Sequence, residues 1–172
     1  LHAGDTPYDR LPSKTRDASP AGKGFEVFSK VAQCTLCHLP PTFSDGLFHN
    51  VGIGFETEKP DLGRGKILAD AAAKAGTPAP PEAETLQGAF KTPTLRNVAV
   101  TAPYMHDARF ATLEEVLGHY NGGVHMASPN VDLLMDFWGM NPTPFSQDEV
   151  NDLIAFMQAL TDPTLLTDPA LA

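Results

Sequence analysis

Both cysteines of this 172-residue chain fall within five positions, Cys34-Thr35-Leu36-Cys37-His38. The readings open to such a motif demand very different surroundings. A disulfide across two intervening residues closes so small a loop that it removes little entropy from the unfolded chain. A thioredoxin-like redox pair needs a βαβ context, and a structural zinc site needs a second Cys-rich half; the sequence offers neither. Cys-x-x-Cys-His is the signature of covalent haem attachment. Two thiols add to the vinyl groups along one porphyrin edge, and the adjacent histidine ligates the iron from one side. The large apolar face of the haem then serves as the centre of the core, which suits a chain with much loop.

Sixteen prolines, many in polar stretches such as "GTPAPPEAE" and "NPTPF", resist helix and sheet alike and predict a few helices joined by long ordered loops. The length fits a single domain with a real core. Twelve Lys and Arg against 21 Asp and Glu give a formal charge of −9, with no basic cluster of the kind that nucleic acid or anionic lipid requires. No apolar run reaches the length of a membrane span. The first residues have neither the basic start nor the apolar segment of a signal peptide, so a mature or trimmed chain is expected.

Ser19-Pro20 opens a helix whose apolar face continues through Phe25, Phe28 and Val31 or Ala32 into the cysteines. From Leu39 to about Pro81 turn signals dominate, with a short alanine-rich helix expected over Ile67 to Lys74. Thr112 and Glu115 form a capping box ahead of Leu113, Val116, Leu117 and Tyr120, and Asn121-Gly122-Gly123 stops that helix. Ser146 and Glu149 repeat the device ahead of a stripe at Val150, Leu153, Ile154, Met157 and Leu160, which ends near Asp162-Pro163. No segment alternates as a strand. The expected fold is all-α: an extended segment over 1–18, a helical haem domain over 19–162 with long ordered loops, and a tail over 163–172.

The second axial ligand separates electron transfer from catalysis. Met105, Met126, Met135, Met140, Tyr120, His49, His106, His119 and His125 are the candidates. Any one methionine is more often a flexible core filler, and any one histidine a hydrogen-bonded or surface group. Tyr120 lies on the apolar side of its helix, as a core tyrosine would. Spacing does not choose among them.

The segments "DTPYDR", "AGKGFEVFSKVAQCTLCH", "FSDGLFHNVGIG", "GAFKTPTLRNVAVTAPYMHDARFATLEEVLGHYNGG" and "NDLIAFMQALTD" together resemble the C-terminal haem domain of bacterial di-haem cytochrome c peroxidases and their MauG-like relatives. The resemblance runs from about Asp5 to Asp162. It implies two haem c domains of all-α, cytochrome c-like architecture in the family, one that reduces peroxide and a C-terminal one that relays electrons; this sequence matches the second. Cys34 and Cys37 match the thioether cysteines and His38 the proximal ligand. Tyr120 falls where peroxidases of the family place an axial methionine and MauG-like members a tyrosine, which makes it the preferred sixth ligand, with Met105 and Met126 as alternatives. Thr101 and Pro103 match positions whose carbonyls bind calcium between the two domains. Lys91 and Arg96, flanking Thr92-Pro93-Thr94, are candidate donors to haem propionates, since a buried carboxylate needs a charged or hydrogen-bonding partner; the competing reading is that they are ordinary surface charges.

Two functions follow. One is an electron-transfer haem domain, closed to substrate, that exchanges electrons with another redox protein or haem domain. The other is a peroxidase acting on hydrogen peroxide, for which His49, His106 and Glu114 are nominated as acid/base groups. In a longer MauG-like oxidase the chain would supply the relay half. The resemblance also implies an exported, periplasmic location, where haem c is attached. The expected outcome for protein made in a host that attaches haem c is an intact mass equal to the polypeptide plus one haem; the mass of the bare polypeptide overturns this reading.

Overall fold

The computed structural model describes residues 5–122, 124, 128–135, 144–165 and 167–168. Its longer elements are helical. Among the described residues the α-helices are α1 (Pro7–Arg10), α2 (Ser13–Ala18), α3 (Pro20–Glu26), α4 (Gly63–Ala75), α5 (Glu82–Thr85), α6 (Leu113–Asn121) and α7 (Gln147–Ala159). Two strands of two residues each, β1 (Phe48–His49) and β2 (Phe90–Lys91), pair antiparallel, Phe48 opposite Lys91 and His49 opposite Phe90. The sequence carries no strand signal there because two residues are too few to alternate. The chain divides into two compact units: the described parts of Leu1–Asp45, Pro93–Gly118 and Pro144–Ala172, and those of Gly46–Thr92 and His119–Thr143.

In the first unit, residues 5–18 carry α1 and α2 in place of the expected extended segment. Thr6 caps α1, with its side chain accepting from the Asp9 N–H, and Pro7 starts the helix with φ already set. Ser19 caps α3 in the same way, accepting from the Gly22 N–H at 3.1 Å. Helix α3 then crosses α7 at van der Waals contact of backbones. A Cβ added at Gly24 would lie 1.9 Å from the Asp152 carbonyl oxygen and 2.8 Å from Phe156 Cβ, so only glycine fits the crossing. Beyond Glu26 the helix widens into a π-turn over Val27–Val31, closed by Ala32 N–H donating to Val27 O at 2.7 Å.

The crossing buries a cluster of aromatic rings. Phe156 is fully buried and meets Tyr8 and Phe28 with ring centroids at 5.1 Å, Phe25 at 5.4 Å and Phe43 at 5.5 Å. These separations, with tilted or edge-on rings, are the preferred geometry for aromatic pairs. Helix α7 brings Phe156 there because its capping box forms as expected: Ser146 Oγ accepts from Glu149 N–H at 3.3 Å, and Glu149 Oε2 accepts from Ser146 N–H at 2.8 Å. Leu153, Ile154, Met157 and Leu160 are buried along the predicted stripe. At its far end buried Asn97 latches the helix down, donating N–H to Leu160 O at 3.1 Å and accepting from Asp162 N–H at 2.7 Å.

The second unit is built on α4, which is longer at both ends than the Ile67 to Lys74 expected, and which stops at Gly76 with φ of 69°. Buried Asn50 ties its loops together. Its side-chain NH₂ donates to Gln87 O at 3.0 Å and Pro129 O at 2.9 Å, and its carbonyl accepts from Gly52 N–H at 2.9 Å. In the first unit, helix α6 starts with the predicted box, Glu115 Oε2 accepting from Thr112 N–H at 3.0 Å and Thr112 Oγ1 from Glu115 N–H at 3.2 Å. Removing the ring at the centre of the first unit tests this packing. Phe156→Ala is expected to lower unfolding stability by about 3–5 kcal/mol, measured by urea denaturation; a loss within the scatter of a surface substitution contradicts the central position of Phe156.

Candidate haem-attachment site

Gln33, with φ of 47°, ends the helical run and turns the chain so that Cys34–Leu36 form a single tight 3₁₀ turn. The Cys34 carbonyl accepts from Cys37 N–H at 3.3 Å and His38 N–H at 2.8 Å, which places both cysteines and the histidine on one turn. Both thiols are half-buried and are not joined in a disulfide. Burial is the largest influence on the Cys34 thiol and pushes it up to about 12.

His38 Nδ1 lies 2.9 Å from Phe43 O. A carbonyl can only accept, so Nδ1 carries a proton, and in the neutral ring the lone pair is then on Nε2, the arrangement of a metal-ligating histidine. A reduced thiol pair one turn apart, followed by an imidazole fixed in this tautomer, fits the donor set of haem c.

The loop after His38 is held from outside itself. Arg96 Nε donates to Pro41 O at 2.8 Å, Thr94 Oγ1 donates to Thr42 O at 2.5 Å, and Leu95 N–H donates to Phe43 O at 3.3 Å. The Arg96 guanidinium also grips both oxygens of Asp9, at 2.6 and 3.2 Å, and lies 5.5 Å over the Phe43 ring. The two side chains are only 13% and 29% exposed, against 53% and 66% for the comparable Arg10–Asp5 pair. Burial works to raise the Asp9 pKa, yet hydrogen bonds from Arg96 and Thr6 and the Arg96 charge hold it below the ordinary carboxylate value. Arg96, nominated from sequence as a propionate donor, thus commits three donor groups to protein partners.

The other nominated residues divide between the units. With the haem motif in the first unit lie Thr101 and Pro103, both exposed, half-buried Met105, and exposed His106 and Glu114. In the second unit Lys91 is exposed on β2, and His49 on β1 donates through Nδ1 to Asp132 Oδ2 at 2.5 Å. His119 Nε2 donates to Val51 O at 3.1 Å. Half-buried Tyr120 packs its ring on that of His119, centroids 5.2 Å apart and 69° between planes. Met135 is half-buried, while Met126, Met140 and His125 lie outside the described residues. Asp9, Thr94 and Asp132 were not anticipated as site residues. Asp132 stands 83 positions from its partner histidine, beyond the reach of any local pattern.

No family model matches the chain. It is 35% identical over 175 residues to the methylamine utilization protein MauG of Methylorubrum extorquens, covering 99% of this chain and 44% of that protein. It is 32% identical over 191 residues to a cytochrome-c peroxidase of Denitromonas iodatirespirans, covering 96% of this chain and 47% of that one. The chain therefore spans somewhat less than half the length of these curated relatives. Among solved structures, a MauG-like protein associated with microbial copper homeostasis superposes with a TM-score of 0.75 at 28% identity, covering 98% of this chain and 55% of that one. The diheme peroxidase BthA from Burkholderia thailandensis superposes at 0.68 and 21% identity over 92% of this chain and 46% of that one, a likeness of fold.

The Asp9–Arg96 pair generates a pH dependence with a definite sign. A carboxyl held below its unfolded value of about 3.9 contributes stability that is present above that value and lost as pH falls through the lower folded value. Asp9→Asn should therefore be less stable than the wild type at neutral pH, with the gap in thermal midpoint closing only below the ordinary carboxylate range. A gap that is the same at pH 7 and at pH 2 contradicts the pairing.

Proposed function

Because the chain belongs to the family of bacterial di-haem cytochrome c peroxidases and MauG proteins, we propose that it is an electron-relay haem domain of that type, carrying one covalent haem c on Cys34, Cys37 and His38. The observation that carries the reading is the hydrogen bond from His38 Nδ1 to Phe43 O, which presents Nε2 as a ligand immediately after a reduced cysteine pair. When bound, the haem supplies a one-electron ferric/ferrous couple. The chain's part is to fix the ring of His38, to hold the two thiols on one turn, and to close the other side of the iron.

For that closing ligand we assign Tyr120, on the strength of its match to the axial position of MauG-like members, with Met105 and Met126 as alternatives. His119, its neighbour, uses Nε2 on the Val51 carbonyl and is the weaker choice. A tyrosinate is a hard anionic donor that favours ferric iron, so the potential should lie well below that of a His/Met cytochrome.

The partner in this reading is a second haem domain or another redox protein. The whole protein, of which the chain matches less than half in the curated relatives, acts on hydrogen peroxide or as a MauG-like oxidase. The same proposal takes residues 19–162 as the haem domain, puts a calcium ion at the carbonyls of Thr101 and Pro103, and locates the protein in the periplasm. No helix among the described residues is long and apolar enough to cross a membrane.

The ferric optical spectrum with and without cyanide tests the relay. The wild type should be low-spin and slow to bind cyanide, and Tyr120→Phe should lose the low-spin species and bind cyanide readily. An unchanged low-spin spectrum in Tyr120→Phe returns the assignment to the methionines. A wild type that binds cyanide at once favours the peroxidase reading.

A further inference from the structure

We propose that Asp9 and Arg96 are positioning residues for His38: together they set the loop 41–43 so that the Phe43 carbonyl holds the imidazole in one tautomer and one orientation. The contacts run in a continuous chain through the first unit. Both Asp9 oxygens grip the guanidinium, Arg96 Nε donates to Pro41 O, and two residues further on Phe43 O accepts from His38 Nδ1.

The loop needs such a hold because Phe43 sits at φ of 53°, in the left-handed region that a bulky residue rarely occupies. Such a conformation persists only when its surroundings over-determine it. The Phe43 ring is buried, packed edge-on against Phe25, Phe28 and Phe156 and covered by the Arg96 guanidinium. Its carbonyl is held directly by the Leu95 N–H at 3.3 Å, and the loop that carries it is held at the neighbouring carbonyls of Pro41 and Thr42 by Arg96 and Thr94. Thr94 Oγ1 also accepts from Arg96 N–H at 3.2 Å, so the two donors are coupled. An acceptor on Nδ1 raises the donor strength of Nε2, as in other histidine ligands whose second nitrogen is hydrogen-bonded.

A planar fork is what the geometry uses. Arg96 must reach two carboxylate oxygens and a carbonyl from one rigid group, which the single ammonium of lysine does not do. Arg96→Lys is therefore a graded variant: it keeps the charge and gives up the fork. Asp9→Asn keeps a hydrogen-bond acceptor and removes the charge. The exposed Arg10–Asp5 pair, which has the same chemistry, offers Asp5→Asn as the control.

The proposal rests on the haem reading for its effect on potential, and its primary readout is the His38 ring itself. In ¹⁵N-labelled protein the Nδ1–H signal of His38 and its exchange with D₂O are measured for the wild type, Arg96→Gln, Arg96→Lys, Asp9→Asn and Asp5→Asn, together with the midpoint potential of each haem-bearing form. Exchange should accelerate by about tenfold or more in Arg96→Gln and Asp9→Asn, the change expected when roughly one charge-assisted hydrogen bond of ordering is lost. The potential should rise in the same variants, with Arg96→Lys intermediate and Asp5→Asn unchanged. Variants that melt earlier but keep the wild-type ring signal, exchange rate and potential overturn the proposal and leave the pair a plain structural tie. Should Arg96→Gln fail to accumulate, Asp9→Asn and Arg96→Lys decide by the same measurements. A wild-type intact mass without haem counts against the haem reading alone, because the ring exchange still reports on the clamp.

Discussion

The carbonyl of Phe43 has two acceptor sites, and the first unit is arranged around filling both. One takes the Nδ1–H of His38 and so fixes which imidazole nitrogen carries the lone pair; the other takes the Leu95 N–H and so fixes where the carbonyl points. Either bond alone would leave the ring or the loop free to turn. Together they join the Cys-x-x-Cys-His turn to a segment more than fifty residues later. The ring of Phe43 provides the link to the core, since the residue that offers its carbonyl to His38 also packs on fully buried Phe156.

The core in turn depends on one close approach. Gly24 lets α3 lie against the backbone of α7, which brings Phe25 and Phe28 onto Phe156 and aims the end of α3 at the cysteines. The π-turn that follows adds a residue to the helical repeat, and Gln33 then breaks it, so the motif leaves the helix at an angle set by packing. Tyr8 closes the cluster from the N-terminal side with its ring edge on Phe156 and the Arg16 guanidinium 5.1 Å over its face. For this reason residues 5–18, which read in the sequence as a leading segment without a pattern, belong to the packed body.

The features legible in the sequence were the local ones. Two capping boxes, at Thr112 and Ser146, formed as their four-residue spacing required, and the apolar stripe of α7 is buried along its predicted positions. The Cys-x-x-Cys-His spacing picked out three residues that the structure places on one turn. Neither the pairing of Asp9 with Arg96 nor that of His49 with Asp132 was legible, because each joins residues 83 or more positions apart. Arg96 was nominated as a donor to a haem propionate, with an ordinary surface charge as the competing reading, and the structure pairs it with Asp9. Sequence shows that a guanidinium is present near a site, whereas which carboxylate reaches it first depends on tertiary packing.

Proline explains why so much of the site is non-local. Pro40 and Pro41 have no N–H to give, and their fixed φ keeps the following residues out of helix or sheet, so the carbonyls of 41, 42 and 43 cannot be satisfied by a regular ladder. The chain supplies donors to these carbonyls from Thr94, Leu95 and Arg96, a stretch that follows another proline. Two proline-stiffened segments, each short of a regular partner, thus satisfy one another. Stiffness lowers the entropy lost when they meet, and mutual satisfaction makes the register between them specific. In a chain with 16 prolines and little regular structure between its helices, this is how an imidazole can be held to a single orientation by loops.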